Sequence, residues 1–479
     1  MRRYQIASRV PESNSRFIAV CCCAEMRGGR RRTASCLRTA VFLFVVTFVW
    51  LQLHLTNLGG GGGQGGTLKD TTNDNDSSAA ILSMVPQVLH KFLTSKPRNT
   101  THSLNGSNMS VDAHRLTIDE IRHNIEKYNQ MQTVHNEDLF GPLLNDSLII
   151  VIQVHTRLIY LRHLIVSLAQ AQEIDSTLLV FSHDYYNEEI NEVVQSIDFA
   201  KVMQIFYPYS IQTHPNTFPG ESPDDCPRDI NYEQAVLRKC TNALHPDLYG
   251  HYREAKFTQT KHHWWWKANR VFNQLEVTRY HTGMVLFVEE DHYVAEDFIH
   301  ILKLMEKTSK ASCPACNILS LGTYLKTYDY YSESKKAEVT PWISSKHNMG
   351  MALNRSTWQE LRKCGRLLCT YDDYNWDWSL QHVSQACLPH KLTAVVMRVP
   401  RIFHIGECGV HHKKANCQST GVISKVQKVL ANAAHHLYPS HLTLTFTTGA
   451  KKHKLRKGNG GWGDVRDHEL CMNMTQVDR

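Results

Sequence analysis

Short continuous apolar runs alternate with amphipathic stretches through the first half of the folded region. Leu148-Ile-Ile-Val-Ile-Gln-Val154 is apolar at odd and even positions alike, the pattern of a strand covered on both faces. Tyr160 to Gln172 instead places Leu161, Leu164, Ile165 and Leu168 on one helical face. Thr177-Leu-Leu-Val-Phe181 reads as a second strand, Glu188 to Ile197 as a helix, and Val202 to Phe206 as a third strand. This β-α-β-α-β alternation predicts an α/β fold with a doubly wound, mostly parallel central sheet, the build of a nucleotide-binding half. A helix near Val111 to Tyr128 leads into it.

Downstream the pattern is less regular. Gln259-Thr-Lys-His-His-Trp-Trp-Trp-Lys267 is predicted to open a helix with Thr260 as N-cap and Trp264, Ala268, Val271, Phe272 and Leu275 on its buried face. Met284 to Val288 is another buried strand, ending in Glu289-Glu-Asp291, and Phe298 to Lys307 is helical. Ile318 to Tyr324 reads as a strand, His347 to Leu353 as a small-residue segment and Thr357 to Cys364 as a helix. Val395 to Val399 is a last strand, running on to His404. Before it lies Tyr371-Asp-Asp-Tyr-Asn-Trp-Asp-Trp378, a string of rings and acids that suits neither a helix nor a strand.

The acidic triplet sits at a strand exit, where open α/β sheets bind their ligands. Hard oxygen donors there suit Mg²⁺ or Mn²⁺, which hold diphosphates through carboxylate and phosphate oxygens; the plainer alternative is that such acids cap the next helix. Neither G-x-G-x-x-G nor G-x-x-x-x-G-K-[ST] occurs in these loops, so a metal rather than a glycine loop must hold phosphate. Gln153, Val154, His155, Thr156 and Arg157 leave the first strand and Asp184 leaves the second, where a nucleotide's base and ribose are read; polar loop turns look the same. Gln259, Lys261, His262 and His263 are expected in a first helical turn, where amide donors and positive charge favour phosphate. The 371–378 string can stack on sugar faces while accepting hydrogen bonds from hydroxyls, or can simply anchor a loop. His404 is either a ligand or a structural histidine.

The net charge of +8 looks like a nucleic-acid signal until it is located. Residues 1–38 hold nine Arg, no Lys and two Glu, so this tail carries +7 and leaves +1 for the rest; no nucleic-acid partner is expected. Residues 39–58 contain no Lys, Arg, Asp or Glu, enough for one bilayer crossing of about 20 residues. Arginine on the amino-terminal side predicts a cytoplasmic tail and a translocated remainder, and so long a basic region favours a signal anchor over a cleaved signal peptide. Residues 59–110, glycine-rich and then polar, read as a flexible stem with glycosylation acceptors at Asn75, Asn99, Asn105 and Asn108; others stand at Asn145, Asn354 and Asn473. Residues 111–479 would be the lumenal domain. Four cysteines precede the span and ten follow it, an even number that reads as disulfides in an oxidising lumen. Zinc half-sites at Cys313 with Cys316 and at Cys408 with Cys417 are the weaker alternative.

Phe287-Val-Glu-Glu-Asp-His-Tyr293, His262-His-Trp-Trp-Trp266, Tyr371 to Trp378, Arg401-Ile-Phe-His404 and Gly460-Gly-Trp-Gly-Asp464 together resemble one family, from about Leu148 to Cys471. It is the N-acetylglucosaminyltransferase II family of Golgi α-1,6-mannosyl-glycoprotein 2-β-N-acetylglucosaminyltransferases. The resemblance implies a GT-A glycosyltransferase fold, a Rossmann-like nucleotide-binding half fused to an acceptor-binding half, in a single-pass type II Golgi membrane protein. It also implies UDP-GlcNAc as donor, Mn²⁺ as cofactor and inverting β-1,2 transfer to the α-1,6-arm mannose of an N-glycan already bearing GlcNAc on its other arm.

Carried over by motif, Asp291 and His404 resemble the metal ligands and Asp377 the general base, with Trp376 against the acceptor sugar. Gln153, Val154, His155, Thr156, Arg157, Asp184, Gln259, Thr260, Lys261, His262 and His263 resemble the donor-binding segments. By the same analogy the disulfides are Cys226–Cys240, Cys313–Cys316, Cys364–Cys387, Cys369–Cys471 and Cys408–Cys417. Leu325 to Tyr331 departs from the family pattern, which puts any substrate contact there in doubt. Two alternatives stay open: a related β-1,2-GlcNAc transferase with another mannose acceptor, and a membrane-tethered, lectin-like glycan-binding protein without turnover. The oligomeric state is left open, a homo-oligomer included.

Overall fold

Both faces of the β-α-β-α-β segment are covered, which is why its strands read as unbroken apolar runs. The computed structural model describes residues 81–94, 116–407, 419–447 and 457–476, all within the unit Thr71–Arg479. β1 (Val134–His135) pairs antiparallel with β4 (Lys201–Phe206); β4, β3 (Leu178–His183), β2 (Ile149–Val154) and β5 (Met284–Glu289) then follow side by side in parallel register. Ile150, Ile152 and Val154 join Leu161, Leu164 and Leu168 of the Leu158–Ala169 helix in one core cluster. Ile149 and Val151 join Trp264, Trp265 and Ala268 of the Ala255–Asn269 helix in another, as the two-residue period of a strand requires.

Later in the chain come β6 (His292–Val294), β7 (Ile318–Ser320), β8 (Lys336–Pro341), β9 (Met351–Asn354), β10 (Thr393–Met397), β11 (Ile402–His404) and β12 (Thr443–Phe446). The ten-stranded sheet runs β1-β4-β3-β2-β5-β9-β7-β10-β8-β12, with β11 and β6 paired outside it. Unbroken parallel pairing ends at β5: β9 is antiparallel to both β5 and β7, and β10 is parallel to β7 but antiparallel to β8. The sheet is therefore parallel across the nucleotide half and mixed across the other. The exit of β5 lies at that border, where the change of strand direction opens a crevice.

Several expectations need correction. The Trp-rich helix begins at Ala255 with Glu254 as N-cap, so Gln259 to His263 lie in its second and third turns, away from the amide donors of its start. Thr260 caps nothing; its hydroxyl donates to Phe257 O at 2.7 Å. Ala255 and Thr258 are buried as well, so the apolar face extends upstream of the motif that drew attention to it. The 371–378 string is not all loop, because Trp376–Ala386 is helical. β7 stops at Ser320, and the small-residue segment supplies β9.

Within the stretch read as a flexible stem, residues 81–94 are folded. Phe92 is 1 % exposed, and Arg162 donates to Phe92 O at 2.8 Å, so this segment covers the outer side of the Leu158–Ala169 helix. The helix read from Val111 to Tyr128 spans Ile118–Met131 behind a capping box of Thr117 and Glu120.

Cys226–Cys240, Cys313–Cys316, Cys364–Cys387 and Cys369–Cys471 are joined as disulfides. The last spans a sequence separation of 102 and ties the C-terminal Val465–Gln476 helix to the site-bearing segment. Cys408 and Cys417 lie outside the described residues, as do the tail and the expected anchor at 39–58. Among the described residues no helix is long and apolar enough to cross a membrane.

Candidate active site

β2 and β3 end side by side, so the residues that follow them meet. Asp184 accepts from Gln259 Nε2 at 3.0 Å, and its carboxylate lies 2.6 Å from His155 Nδ1 and 3.5 Å from His263 Nδ1. Burial opposes ionisation of Asp184, but the bonds to the two imidazoles outweigh it and hold its pKa far below the carboxylate range. Gln259 Oε1 accepts from Ile211 N at 2.7 Å, which ties the cluster to the loop after β4. Val154 is fully buried and contributes its carbonyl, which accepts from Asp184 N at 3.1 Å; His155 and Thr156 are exposed above it. Lys267 Nζ donates to Gln153 Oε1, and burial lowers the lysine pKa to about 7. Gln259, His263 and Lys267 are four residues apart, so one helix face serves the strand exits.

At the exit of β5 the three acids separate. Glu290 turns back and accepts from His155 N at 2.8 Å and Arg157 N at 3.3 Å, bracing the loop after β2; burial pushes its pKa up to about 7. Glu289, Asp291 and His292 instead offer ligand atoms within 4.8 Å of one another. The β11–β6 ladder sets His404 opposite His292, and His404 Nε2 lies 3.3 Å from Asp291 Oδ2. Arg157 Nη1 donates to the same oxygen, whereas Asp291 Oδ1 is buried with no hydrogen-bond partner. Burial lowers the His292 pKa to about 4, leaving a neutral imidazole. An orphaned carboxylate oxygen beside a second carboxylate and two imidazoles fits a divalent cation. Gly406 permits this crowding, since a Cβ there would collide with Asp291 Oδ2 and Arg157 Nη1.

Asp377 approaches from the mixed half of the sheet, in the first turn of the Trp376–Ala386 helix. Its Oδ2 accepts from Asn348 Nδ2 at 3.0 Å and its Oδ1 from Trp378 N at 2.9 Å. Burial raises its pKa to about 6, with Asp373 and Glu289 adding to the rise. Tyr324 donates to Asn348 Oδ1 at 2.9 Å. Burial first, then the charges of Glu289, Asp377 and Asp291, push the Tyr324 hydroxyl above its ordinary value. The Tyr324 hydroxyl thus feels the carboxylates of both halves of the sheet. Trp376 stacks on Trp264 with centroids 4.3 Å apart and planes 4° from parallel, which fixes its ring beside Asp377.

The structure divides the remaining donor-side candidates. Gln259 and His263 stand beside Asp184, but Lys261 donates to Tyr371 O at 3.1 Å and Asp373 O at 2.9 Å, and His262 Nε2 lies 2.9 Å from Asp467 Oδ1. Lys261 and His262 are buried and turn away from the strand exits, as one residue's 100° rotation along a helix dictates. Four residues at the site escaped the reading of the sequence for roles: Lys267, His292, Tyr324 and Asn348. Lys267 was signalled by its four-residue spacing from His263 and His292 by its place after Asp291. Tyr324 and Asn348 come from separate loops and carried no local signal.

The sequence pattern of N-acetylglucosaminyltransferase II (MGAT2) matches residues 122–471. The chain belongs to the N-acetylglucosaminyltransferase II family. It is 43% identical over 403 residues to the α-1,6-mannosyl-glycoprotein 2-β-N-acetylglucosaminyltransferase of Sus scrofa, covering 84% of each chain. It is 44% identical over 366 residues to that of Homo sapiens, covering 76% of this chain and 81% of the relative. It is 32% identical over 423 residues to that of Arabidopsis thaliana, covering 83% and 94%. A solved structure of S. aureus TarS 1-349 has a TM-score of 0.28 at 11% identity, covering 61% of this chain and 67% of that one, too loose a likeness to carry an argument. As a member of the N-acetylglucosaminyltransferase II family the chain is a glycosyltransferase, and its sheet, parallel to β5 and mixed beyond, is the GT-A arrangement.

Proposed function

We propose that this chain moves GlcNAc from UDP-GlcNAc, with inversion, to the 2-hydroxyl of the α-1,6-arm mannose of N-glycans. The observation that supports this reading is that Tyr324, bonded to Asn348 beside Asp377, also feels the charges of Glu289 and Asp291 at the exit of β5. Asp184, ionised and held by Gln259 and His263, offers an acceptor to the uridine moiety, with His155 and Arg157 on the same rim. Asp291 and His404, with Glu289 and His292 beside them, would hold Mn²⁺, which when bound neutralises charge on the departing UDP.

Asp377 takes the proton from the mannose 2-hydroxyl as that oxygen attacks the opposite face of GlcNAc, and the single displacement gives the β linkage. A pKa of about 6 leaves this carboxylate ionised at neutral pH, yet more basic than an exposed aspartate. Asn348 donates to the ionised form and aims it. Residues 39–58 would anchor the enzyme in the Golgi membrane as a type II protein.

The test is transfer from UDP-GlcNAc to a defined N-glycan bearing GlcNAc on the α-1,3 arm, with NMR of the product. A new β-1,2 linkage on the α-1,6 arm, abolished by EDTA and restored by Mn²⁺, is expected. Transfer to another mannose would overturn the arm assignment, and glycan binding without UDP release would leave only the lectin reading.

A further inference from the structure

The Arg401-Ile-Phe-His404 motif holds one charged side chain that no step of the proposed reaction uses. Arg401 is fully buried, and its Nε donates to Asp297 Oδ1 at 2.7 Å and to Oδ2 at 2.9 Å. Asp297, fully buried too, stands at the N-cap of the Phe298–Ser312 helix, yet its side chain caps nothing there. It is given instead to Arg401 and to Tyr438 N, which donates to Oδ2 at 3.1 Å. The guanidinium lies over the Tyr330 ring, 5.2 Å from its centroid, and the Tyr330 hydroxyl donates to Pro400 O at 2.6 Å. A buried ion pair adds little net stability over apolar residues of similar volume, because both charges lose their water. Its better-attested use is to fix the register of the segments it joins.

Register is what β11 and β6 need. Each is three residues long, they pair outside the ten-stranded sheet, and no hairpin turn joins them. Their ladder sets His404 opposite His292, with ring centroids 6.2 Å apart. It continues at both ends, where Ile405 N donates to Asp291 O and Ala295 N to Arg401 O, each at 2.8 Å. A slip of one residue would put Phe403 or Ile405 where His404 stands and turn the imidazole to the opposite face. Backbone bonds from Arg401 N and Ile402 N to Leu321 O also hold β11, but a backbone bond does not tell one side chain from the next. The Arg401–Asp297 pair does, and it closes the ladder at the end away from the imidazoles with one side chain from each segment.

We propose that Arg401 and Asp297 are positioning residues for the divalent cation: their ion pair sets the register that places His404 and His292 beside Asp291. The proposal rests on the reading of Asp291 and His404 as cation ligands. Both residues act through the imidazoles, as groups behind a ligand shell do, and substitution of such groups costs about 10–100-fold in metal affinity.

Two variants of the full chain test this. Arg401→Lys keeps the charge but loses the planar fork that grips Asp297, and Arg401→Met combined with Asp297→Leu removes both charges and leaves neither unpaired. Each is measured for the Mn²⁺ concentration that half-saturates UDP binding, by equilibrium dialysis, and for stability in urea. Supporting the proposal, that concentration rises about 10–100-fold in the double variant and less in Arg401→Lys, while the urea midpoint of the double variant stays near that of the unaltered protein. An unchanged Mn²⁺ requirement in both variants overturns it. So does a Mn²⁺ requirement that rises only in step with lost stability, because the pair would then serve the fold as a whole. UDP binding by the unaltered protein that ignores Mn²⁺ would instead sink the reading of the cation ligands, and the positioning role with it.

Discussion

The two faces of the Ala255–Asn269 helix do different work with the same residue types. One face presents Gln259, His263 and Lys267 to Asp184, Ser182 and Gln153 at the ends of β2 and β3. The other presents Lys261 and His262 to backbone carbonyls of the 371–373 turn and to Asp467. Lys261 is buried against that turn, and burial lowers its pKa to about 7. Asp373, whose carbonyl Lys261 holds, accepts from Asn375 N at 2.9 Å just before the Asp377 helix. Arg253 neutralises the buried Asp467, whose Oδ1 also lies 2.9 Å from His262 Nε2. A single helix thereby braces the ends of β2 and β3 with one face and the turn before the Asp377 helix with the other. The lesson is that a histidine and a lysine inside a recognisable motif need not touch substrate; their side of the helix decides.

Four changes would break or sharpen this contrast. Arg253→Ala leaves Asp467 buried with one partner fewer, and urea unfolding should show a loss of about 3–5 kcal/mol with the donor KM of the folded enzyme unchanged. A fully stable variant would mean that the second face is not an anchor. Asp377→Asn should lower kcat by about 10² or more while UDP affinity, measured by calorimetry, stays the same. Its stability at pH 7 should not fall. The folded pKa of about 6 lies above the unfolded value of about 3.9, so folding favours the acid form, and ionisation weakens the fold as pH rises between them.

Gln259→Ala removes a donor to Asp184 and an acceptor for Ile211 N; the KM for UDP-GlcNAc should rise about tenfold, roughly 1.4 kcal/mol, with acceptor KM unaffected. An equal rise in both would erase the distinction between the faces. The smallest effect is expected from Asn348→Ala, read in the pH profile of kcat/KM. With Asp377 as the proposed base, activity should fall as pH drops through its pKa near 6, and losing the Asn348 donor should move that limb upward by less than about one pH unit.

Much of the nucleotide half was legible in the chain, because its signals are local. β2, β3 and β5 open with continuous apolar runs that two-sided burial explains, and the helices between them show their faces within a dozen residues. The acidic exit of β5 could be read for the same reason. Segment starts were less legible: Thr260 has the chemistry of a cap, yet helix packing carries the start five residues upstream to Ala255. Residues 81–94 were read with the polar sequence around them although eight of the fourteen are apolar, and what those side chains pack against lies on a helix elsewhere in the chain.

By itself, then, the sequence determined the layered α/β build, the strand ends at which ligands would gather, and the family to which the chain belongs. Only the tertiary structure decided which face each motif residue uses, that Glu290 braces a loop while Glu289, Asp291 and His292 cluster, and that Tyr324 joins Asp377 through Asn348. The physical reason is range. Periodicity along a strand or helix is written in neighbours, but the meeting of Asp291 with His404, and of Asn348 with Asp377, is set by how distant segments pair and pack around the sheet.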